Sequence, residues 1–331
     1  MIRRVLTRRQ LLRLGLAAPL AKLIACDKVG KEIHIGSGYR PTPEQPLTPV
    51  EDFYLVANFG IPLAPTEAEW RLPMRGMVGR PATLARADLD RFAPVTLEMT
   101  MECIGNYPGG GLISSAAFTG VRLADVIEAA GPSSHARGVH LEGEEGYFAY
   151  LPLEAATGEL PMLVHTMNGR PLTEDHGAPV RALFPGKHGM FSVKWLRGVT
   201  LAREWGAWGS LTAISNVVEG VTPVMSRIDR PRDGDEVTAG QPLEVSGIAL
   251  TAGRGVARVE VDTGGGWRET EIVFDRSPQL WSLWRTSWTP DRPGEATLAV
   301  RAFDGDGTTQ SFEPRFPYDS GAIHTLRVVV R

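Results

Sequence analysis

The stretch Thr100-Met101-Glu102-Cys103-Ile104-Gly105-Asn106 places a cysteine at the end of a β-prone run, directly before a loop, Asn106 to Gly111, built on glycine and proline. A thiolate at a strand end is held rigid on one side and left open on the other, as a metal centre with a substrate position requires. Taken alone, the residue also suits an inert interior position, because free cysteines are among the most buried side chains. Cys26 is the only other cysteine in the 331-residue chain. If Cys26 is consumed at a processed terminus, no intrachain disulfide can form, and Cys103 must be buried or metal-bound to resist oxidation.

Toward the N-terminus, residues 27–50 carry four prolines and little apolar periodicity, which predicts an extended, flexible tether over 26–50. Residues 1–25 hold Arg3, Arg4, Arg8, Arg9, Arg13 and Lys22, no acid, and a mildly apolar stretch, the layout of an export signal. Thr7-Arg8-Arg9-Gln10-Leu11-Leu12 resembles a twin-arginine signal, and Leu23-Ile24-Ala25-Cys26 resembles a lipobox whose cysteine is lipidated. Asp27 resembles an inner-membrane retention signal. The expectation is a periplasmic protein, lipid-anchored to the inner membrane through Cys26 after twin-arginine export. An amphipathic N-terminal helix with an incidental Cys26 is the alternative. Elsewhere no run approaches the ~18 apolar residues that a spanning helix needs.

A length of 331 residues suits two domains at ~150 residues each. With 43% hydrophobic and 22% charged residues, collagenous, disulfide-scaffold and wholly disordered classes are excluded. Without the leader, 29 basic residues face 38 acidic ones, a net charge of −9, which gives no reason to seek nucleic acid.

From 51 to 218 short apolar runs alternate with turns and with helical pieces at Ala85 to Phe92 and Leu123 to Ala130. Leu123, Val126, Ile127 and Ala130 form one helical face, closed by Gly131-Pro132, so this part reads as a mixed α+β domain. From 219 to 331 alternation is strict, as in Leu243 to Gly247, Val259 to Val261, Leu298 to Ala302 and Leu326 to Val330. Six or seven such strands predict an immunoglobulin-like β-sandwich, with Trp267, Trp281, Trp284 and Trp288 as core or subunit-interface bulk.

Four ordered motifs give the first domain a resemblance to the sulfite oxidase family of molybdopterin enzymes. They are Glu102 to Asn106, Ala117 to Leu123, His176-Gly-Ala-Pro-Val-Arg181 and Ser192-Val-Lys194-Trp195-Leu196. The later β-domain resembles the family's dimerisation domain, so a homodimer through it is implied. The resemblance implies a molybdenum-molybdopterin cofactor with Cys103 as the protein's thiolate ligand. It further implies that Asn58, His176, Arg181, Ser192 and Lys194 hold the pterin and its phosphate, and cationic donors suit a buried phosphate. Singly, His176 could cap a turn, Arg181 could pair with Glu174 or Asp175, and Lys194 could be solvated.

Departures from the family fall on the substrate side. Ala57 and Phe59 replace an arginine and a histidine around the asparagine, Tyr107-Pro108 replaces paired arginines, and Phe118 replaces a tryptophan. The family's tyrosine after Lys-Trp-Leu has no counterpart, since no tyrosine lies between Tyr150 and Tyr318. A dianion such as sulfite depends on such donors, so sulfite is expected to be a poor substrate unless Arg203, Arg227 or Arg230 rebuild the pocket. The implied activity is oxygen-atom or coupled electron-proton transfer on an unidentified small molecule. Reduction of a sulfoxide or N-oxide is the alternative direction. The chain has no Cys-x-x-Cys-His haem motif, which implies an external electron partner, a cytochrome or quinol system. Two other classes compete: a non-catalytic lipoprotein interaction module, and a cysteine hydrolase pairing Cys103 with His176.

Overall fold

The computed structural model describes residues 32–204, 220–314 and 319–331. Arg8, Arg9 and Cys26, and the expected domain boundary at 218/219, lie outside the described residues.

Two five-stranded sheets build the first domain. One runs Arg170–Pro171, Met162–Met167, Ile113–Arg122, Pro94–Glu102, with Arg181–Leu183 also on Met162–Met167. The other runs Ala82–Ala85, Arg71–Gly76, Leu196–Ala202, Gly138–Gly143, Phe148–Pro152, with Leu196–Ala202 parallel to Arg71–Gly76. Helix is scarce. The α-helix Leu123–Ala129 buries Leu123, Val126 and Ile127 and stops at Gly131, whose positive φ of 66° suits the residue beyond a helix end. The helical piece expected from Ala85 is a 3-10 turn, Arg86–Arg91, opened by the Ala85 N–H on Asp88 Oδ2 at 2.8 Å. Six residues before Pro94 leave little room for α-helical turns to propagate.

The second domain is a sandwich of a four-stranded sheet (Met225–Arg230, Leu243–Leu250, Ser282–Trp288, Glu271–Phe274) and a five-stranded one (Glu236–Val237, His324–Val330, Gly294–Asp304, Val256–Asp262, Trp267–Glu269). Val245, Val259, Leu298, Val300, Val328 and Trp284 fill the space between. Trp284 is core as expected. Trp281 instead belongs to the contact between the two domains of one chain, packed with Ile113, Met225, Ile248 and Leu280.

That contact solves an edge problem for the strand that ends at Cys103. Pro94–Glu102 is the last strand of its sheet, and an open edge exposes unpaired backbone groups. The second domain covers it. The Thr100 N–H donates to Gln279 O at 2.9 Å, and the Trp281 N–H donates to Thr100 Oγ1 at 2.8 Å.

Residues 32–50, expected as free tether, are packed. Ile33–Ile35 pairs antiparallel with Leu55–Ala57, Thr48 is fully buried, and Trp281 Nε1 donates to Pro46 O at 2.8 Å. Their prolines enforce the extended backbone that the sequence shows, and edge pairing twenty residues downstream absorbs it. No helix among the described residues is long and apolar enough to cross a membrane.

Candidate active site

Cys103 follows the strand Pro94–Glu102 and lines a cleft. The loop after it is closed by three hydrogen bonds: Cys103 N–H to Leu112 O at 2.9 Å, Asn106 N–H to Cys103 O at 3.0 Å, and Leu112 N–H to Asn106 Oδ1 at 3.0 Å. The Asn106 amide also donates to Glu102 Oε1 at 2.9 Å. Burial pushes the Cys103 thiol up, with the Glu102 carboxylate adding to the shift. A raised thiol is a poor unassisted nucleophile. No hydrogen bond joins Cys103 to His176 among the described contacts, and the imidazole is instead anchored through Nε2 on Val50 O at 3.1 Å. The cysteine-hydrolase arrangement is therefore not assembled.

Every sequence-predicted residue of the cofactor set lines this one cleft: Asn58, Cys103, His176, Arg181, Ser192 and Lys194. His176 ends the 3-10 turn Glu174–His176. Burial, then the Arg181 charge, hold the imidazole down at about 4, so it is neutral near pH 7. Val50 O can only accept, which puts the proton on Nε2 and leaves Nδ1 bare.

Arg181, 4% exposed, donates to His176 O at 3.2 Å and Ser192 O at 3.1 Å, while its Nε has no hydrogen-bond partner. Neither Glu174 nor Asp175 pairs with it among the described contacts. Burial lowers its guanidinium to about 10. Ser192 Oγ accepts the Phe184 N–H at 3.1 Å, so it offers the cleft its backbone more than its hydroxyl. Lys194 Nζ donates to Asp175 O at 2.9 Å and lies 4.3 Å from the Trp195 ring centre. Burial first and Arg181 second hold it at about 7.

Backbone shape fixes these positions. Gly177 has φ 97°, and a Cβ there would stand 2.9 Å from Lys194 Cβ and 3.0 Å from its Cα. Trp195 adopts φ 47°, rare for a bulky residue, and is pinned by Nε1 on Glu174 O at 2.7 Å and by the Glu144 N–H on Trp195 O at 3.0 Å. A Cβ on Gly189 would meet Tyr54 Oη at 2.6 Å, so the cleft floor admits no side chain there.

Several lining residues were assigned no role by the sequence, although Trp195 stands inside one of the four motifs. Tyr54, Glu145, Tyr147 and Trp195 all border the cleft. Tyr147 donates its hydroxyl to Met190 O at 2.7 Å. Burial lifts Glu145 to about 7, and its Oε2 has no hydrogen-bond partner.

The substrate-side departures are equally concrete. Ala57 lines the cleft, whereas Phe59 and Tyr107 are exposed, Phe59 with its ring 6.2 Å from that of Tyr147. Phe118 is fully buried against Phe53 and does not reach the cleft. None of the three candidate replacement arginines lines it. Arg203 and Arg230 are exposed, and Arg227 is buried and bound to Asp229.

A buried cluster of Arg181, Lys194 and neutral His176 with one unpartnered guanidinium nitrogen is unfavourable by itself and becomes favourable around an anion. The donor set therefore fits a phosphate-bearing cofactor, and Cys103 supplies a soft ligand in the same cleft. Among the described residues no cluster of three or more His, Cys, Asp or Glu forms a competing metal site.

Residues 58–207 match the oxidoreductase molybdopterin binding domain, and residues 224–300 match a bacterial Ig domain. Sulfite oxidase of Gallus gallus is 30% identical over 316 residues, covering 81% of this chain and 68% of that protein. An uncharacterized oxidoreductase of Bacillus subtilis is 31% identical over 175 residues, 53% of this chain and 85% of the other. The chain spans only 51 to 58% of the mitochondrial sulfite oxidases that it also matches. The sulfane dehydrogenase SoxCD from Paracoccus pantotrophus shares the fold over 98% of this chain and 92% of its own, with a TM-score of 0.73 at 21% identity.

Proposed function

Because the chain belongs to the sulfite oxidase family of molybdopterin-binding oxidoreductases, and is a molybdenum-dependent enzyme with a molybdenum-molybdopterin cofactor, we propose that it acts on a small neutral substrate rather than on sulfite. Cys103 is the protein's ligand to the metal in this reading. The observation that carries it is the contrast within one cleft: all six cofactor-set residues line it, while no arginine other than Arg181 does so among the described residues.

When bound, the cofactor supplies oxygen-atom or coupled electron-proton transfer. The chain supplies binding and orientation. Arg181 and Lys194 would hold the phosphate, and the bare Nδ1 of His176 would accept from a donor on the pterin. Tyr54, Trp195 and Met190 keep water from the cleft walls. Glu145, titrating near neutral pH beside Lys194, holds or releases a proton where a redox step coupled to proton transfer needs one. The lack of further lining arginines also suits a neutral sulfoxide or N-oxide, and reduction of such a molecule is the alternative direction, because it brings no charge that needs a counter-cation.

Electrons pass to or from an external cytochrome or quinol system. The protein is held at the periplasmic face of the inner membrane through lipidated Cys26 after export directed by Arg8 and Arg9, and it pairs through the second domain as a homodimer. Replacing Arg8 and Arg9 by lysine should leave precursor in the cytoplasm, and Cys26→Ser should release soluble protein. Membrane fractionation of both variants that matches the wild type would remove the anchor from the proposal. The substrate reading is tested on the native-host holoenzyme by assaying sulfite with ferricyanide and a dialkyl sulfoxide with reduced viologen. The expected result is sulfoxide turnover and a sulfite kcat/KM well below ~10⁴ M⁻¹s⁻¹. Efficient sulfite oxidation would overturn it.

A further inference from the structure

We infer that the β-sandwich clamps the Cys103 loop, and that Arg227 is the positioning residue through which it fixes the thiolate. The inference rests on the reading of Cys103 as metal ligand and assigns the second domain a role inside its own chain.

Arg227 lies on the strand Met225–Arg230 of the sandwich and is 1% exposed. Its guanidinium is held from one side by Asp229, at 2.6 Å through Nε and 3.3 Å through Nη2. From the other side its Nη1 donates to Gly110 O at 2.9 Å, inside the loop that follows Cys103. Asp229 is itself shared with Arg40 at 3.0 Å. A buried arginine is tolerated only when its donors are satisfied in good geometry, so the loop carbonyl is part of what keeps this group buried.

Two further contacts from the sandwich reach the same loop. His324 Nδ1 accepts the Ile228 N–H at 3.1 Å, which fixes the ring, and a Cβ on Gly109 would stand 2.3 Å from its Nε2. Gly109 (φ 78°) thus lies flat on the His324 edge. The buried Ser320 hydroxyl binds Glu102, the residue before Cys103. From within, Gly110 packs so closely on Asn106 that a Cβ would stand 2.4 Å from Asn106 Oδ1, and Asn106 bridges Glu102 to Leu112. The loop is thereby pinched between Asn106 on its inner side and Arg227 with His324 on its outer side. A shift of Gly110 must move Asn106, and Asn106 ties together the Glu102 carboxylate before Cys103, the carbonyl of Cys103 itself and the Leu112 N–H beyond the loop.

The test uses the full-length holoenzyme and reads molybdenum content, melting temperature and the thiolate-to-molybdenum charge-transfer absorption, which depends on sulfur orientation. Arg227→Lys keeps the charge but loses the rigid planar fork that reaches Asp229 through Nε and Nη2 and Gly110 O through Nη1. It should retain molybdenum and shift the absorption band. His324→Ala, a milder change, should shift the band in the same direction by less. Glu98→Gln, which breaks the exposed interdomain pair with Arg276 at 2.9 Å, should lower the melting temperature and leave the band unmoved. If Arg227→Lys and His324→Ala both lower stability while the band stays at its wild-type position, the clamp is refuted. If the band persists in Cys103→Ala, the ligand reading fails, and that outcome is separate from the failure of the clamp.

Discussion

The two ends of the cleft differ in how they use charge. At the inner end Arg181, Lys194, His176 and Ser192 crowd around a position that only an anion satisfies, and the first two are pushed down by burial. Where the family resemblance implies cations on the substrate side, the chain holds Ala57, which lines the cleft, and Phe59, Tyr107 and Pro108, which do not. Cofactor retention and substrate charge are thus set by separate residues. One end can stay fixed while the other changes what the enzyme accepts.

The largest effect should come from Cys103 itself. Cys103→Ala is expected to lower turnover by more than ~100-fold, beyond the cost of losing an outer-shell partner, while the far-ultraviolet dichroism spectrum stays native. At the inner end, Arg181→Met or Lys194→Met removes a charge-assisted hydrogen bond of ~1.5 to 3 kcal/mol. Cofactor recovered from each variant should fall by roughly ten-fold or more by fluorescence of the oxidised pterin.

The same lysine predicts an opposite effect on the cofactor-free protein. A folded pKa near 7, below the unfolded value of 10.5, means the charged form is penalised in the fold. That penalty is complete below pH 7 and fades as pH rises from about 7 toward 10.5. Cofactor-free Lys194→Met should therefore be more stable than wild type at pH 6, with the difference shrinking toward pH 10 in urea titrations. At the rim, Ala57→Arg together with Tyr107→Arg should raise the sulfite kcat/KM by about ten-fold or more, the worth of one such bond. No gain would show that the missing cations are not what limits sulfite.

The effect confined to stability belongs to Glu145. Its folded pKa of about 7 lies above the ordinary 4.5, so wild type loses stability relative to Glu145→Gln as pH rises from about 4.5 to 7. At pH 8 the variant should be more stable by ~1 to 3 kcal/mol. Equal pH profiles for the two proteins would mean that this carboxyl is not desolvated in solution.

What the sequence made legible was local. Cys103, His176, Arg181 and Lys194 stand in short motifs whose spacing survives without knowledge of the fold, and the strand alternation after Val221 marked the sandwich directly. What stayed hidden depends on contacts distant in the chain. Tyr147 and Glu145 reach the cleft because the turn after Gly143 hydrogen-bonds Trp195, fifty residues on. No periodicity around Tyr147 records that pairing. Residues 32–50 read as free chain because their partners, Leu55–Ala57, Pro46 against Trp281, and Arg40 against Asp229, are set by tertiary packing. Arg227 looked like a substrate-binding cation. Only the structure shows its charge spent on Asp229 and the Cys103 loop.

The central claim, that Cys103 ligates the metal in this cleft, is tested most directly by X-ray absorption at the molybdenum edge on wild type and Cys103→Ala holoenzyme. The account predicts that the variant loses one sulfur neighbour from the metal while keeping those of the pterin. An unchanged sulfur count would contradict it.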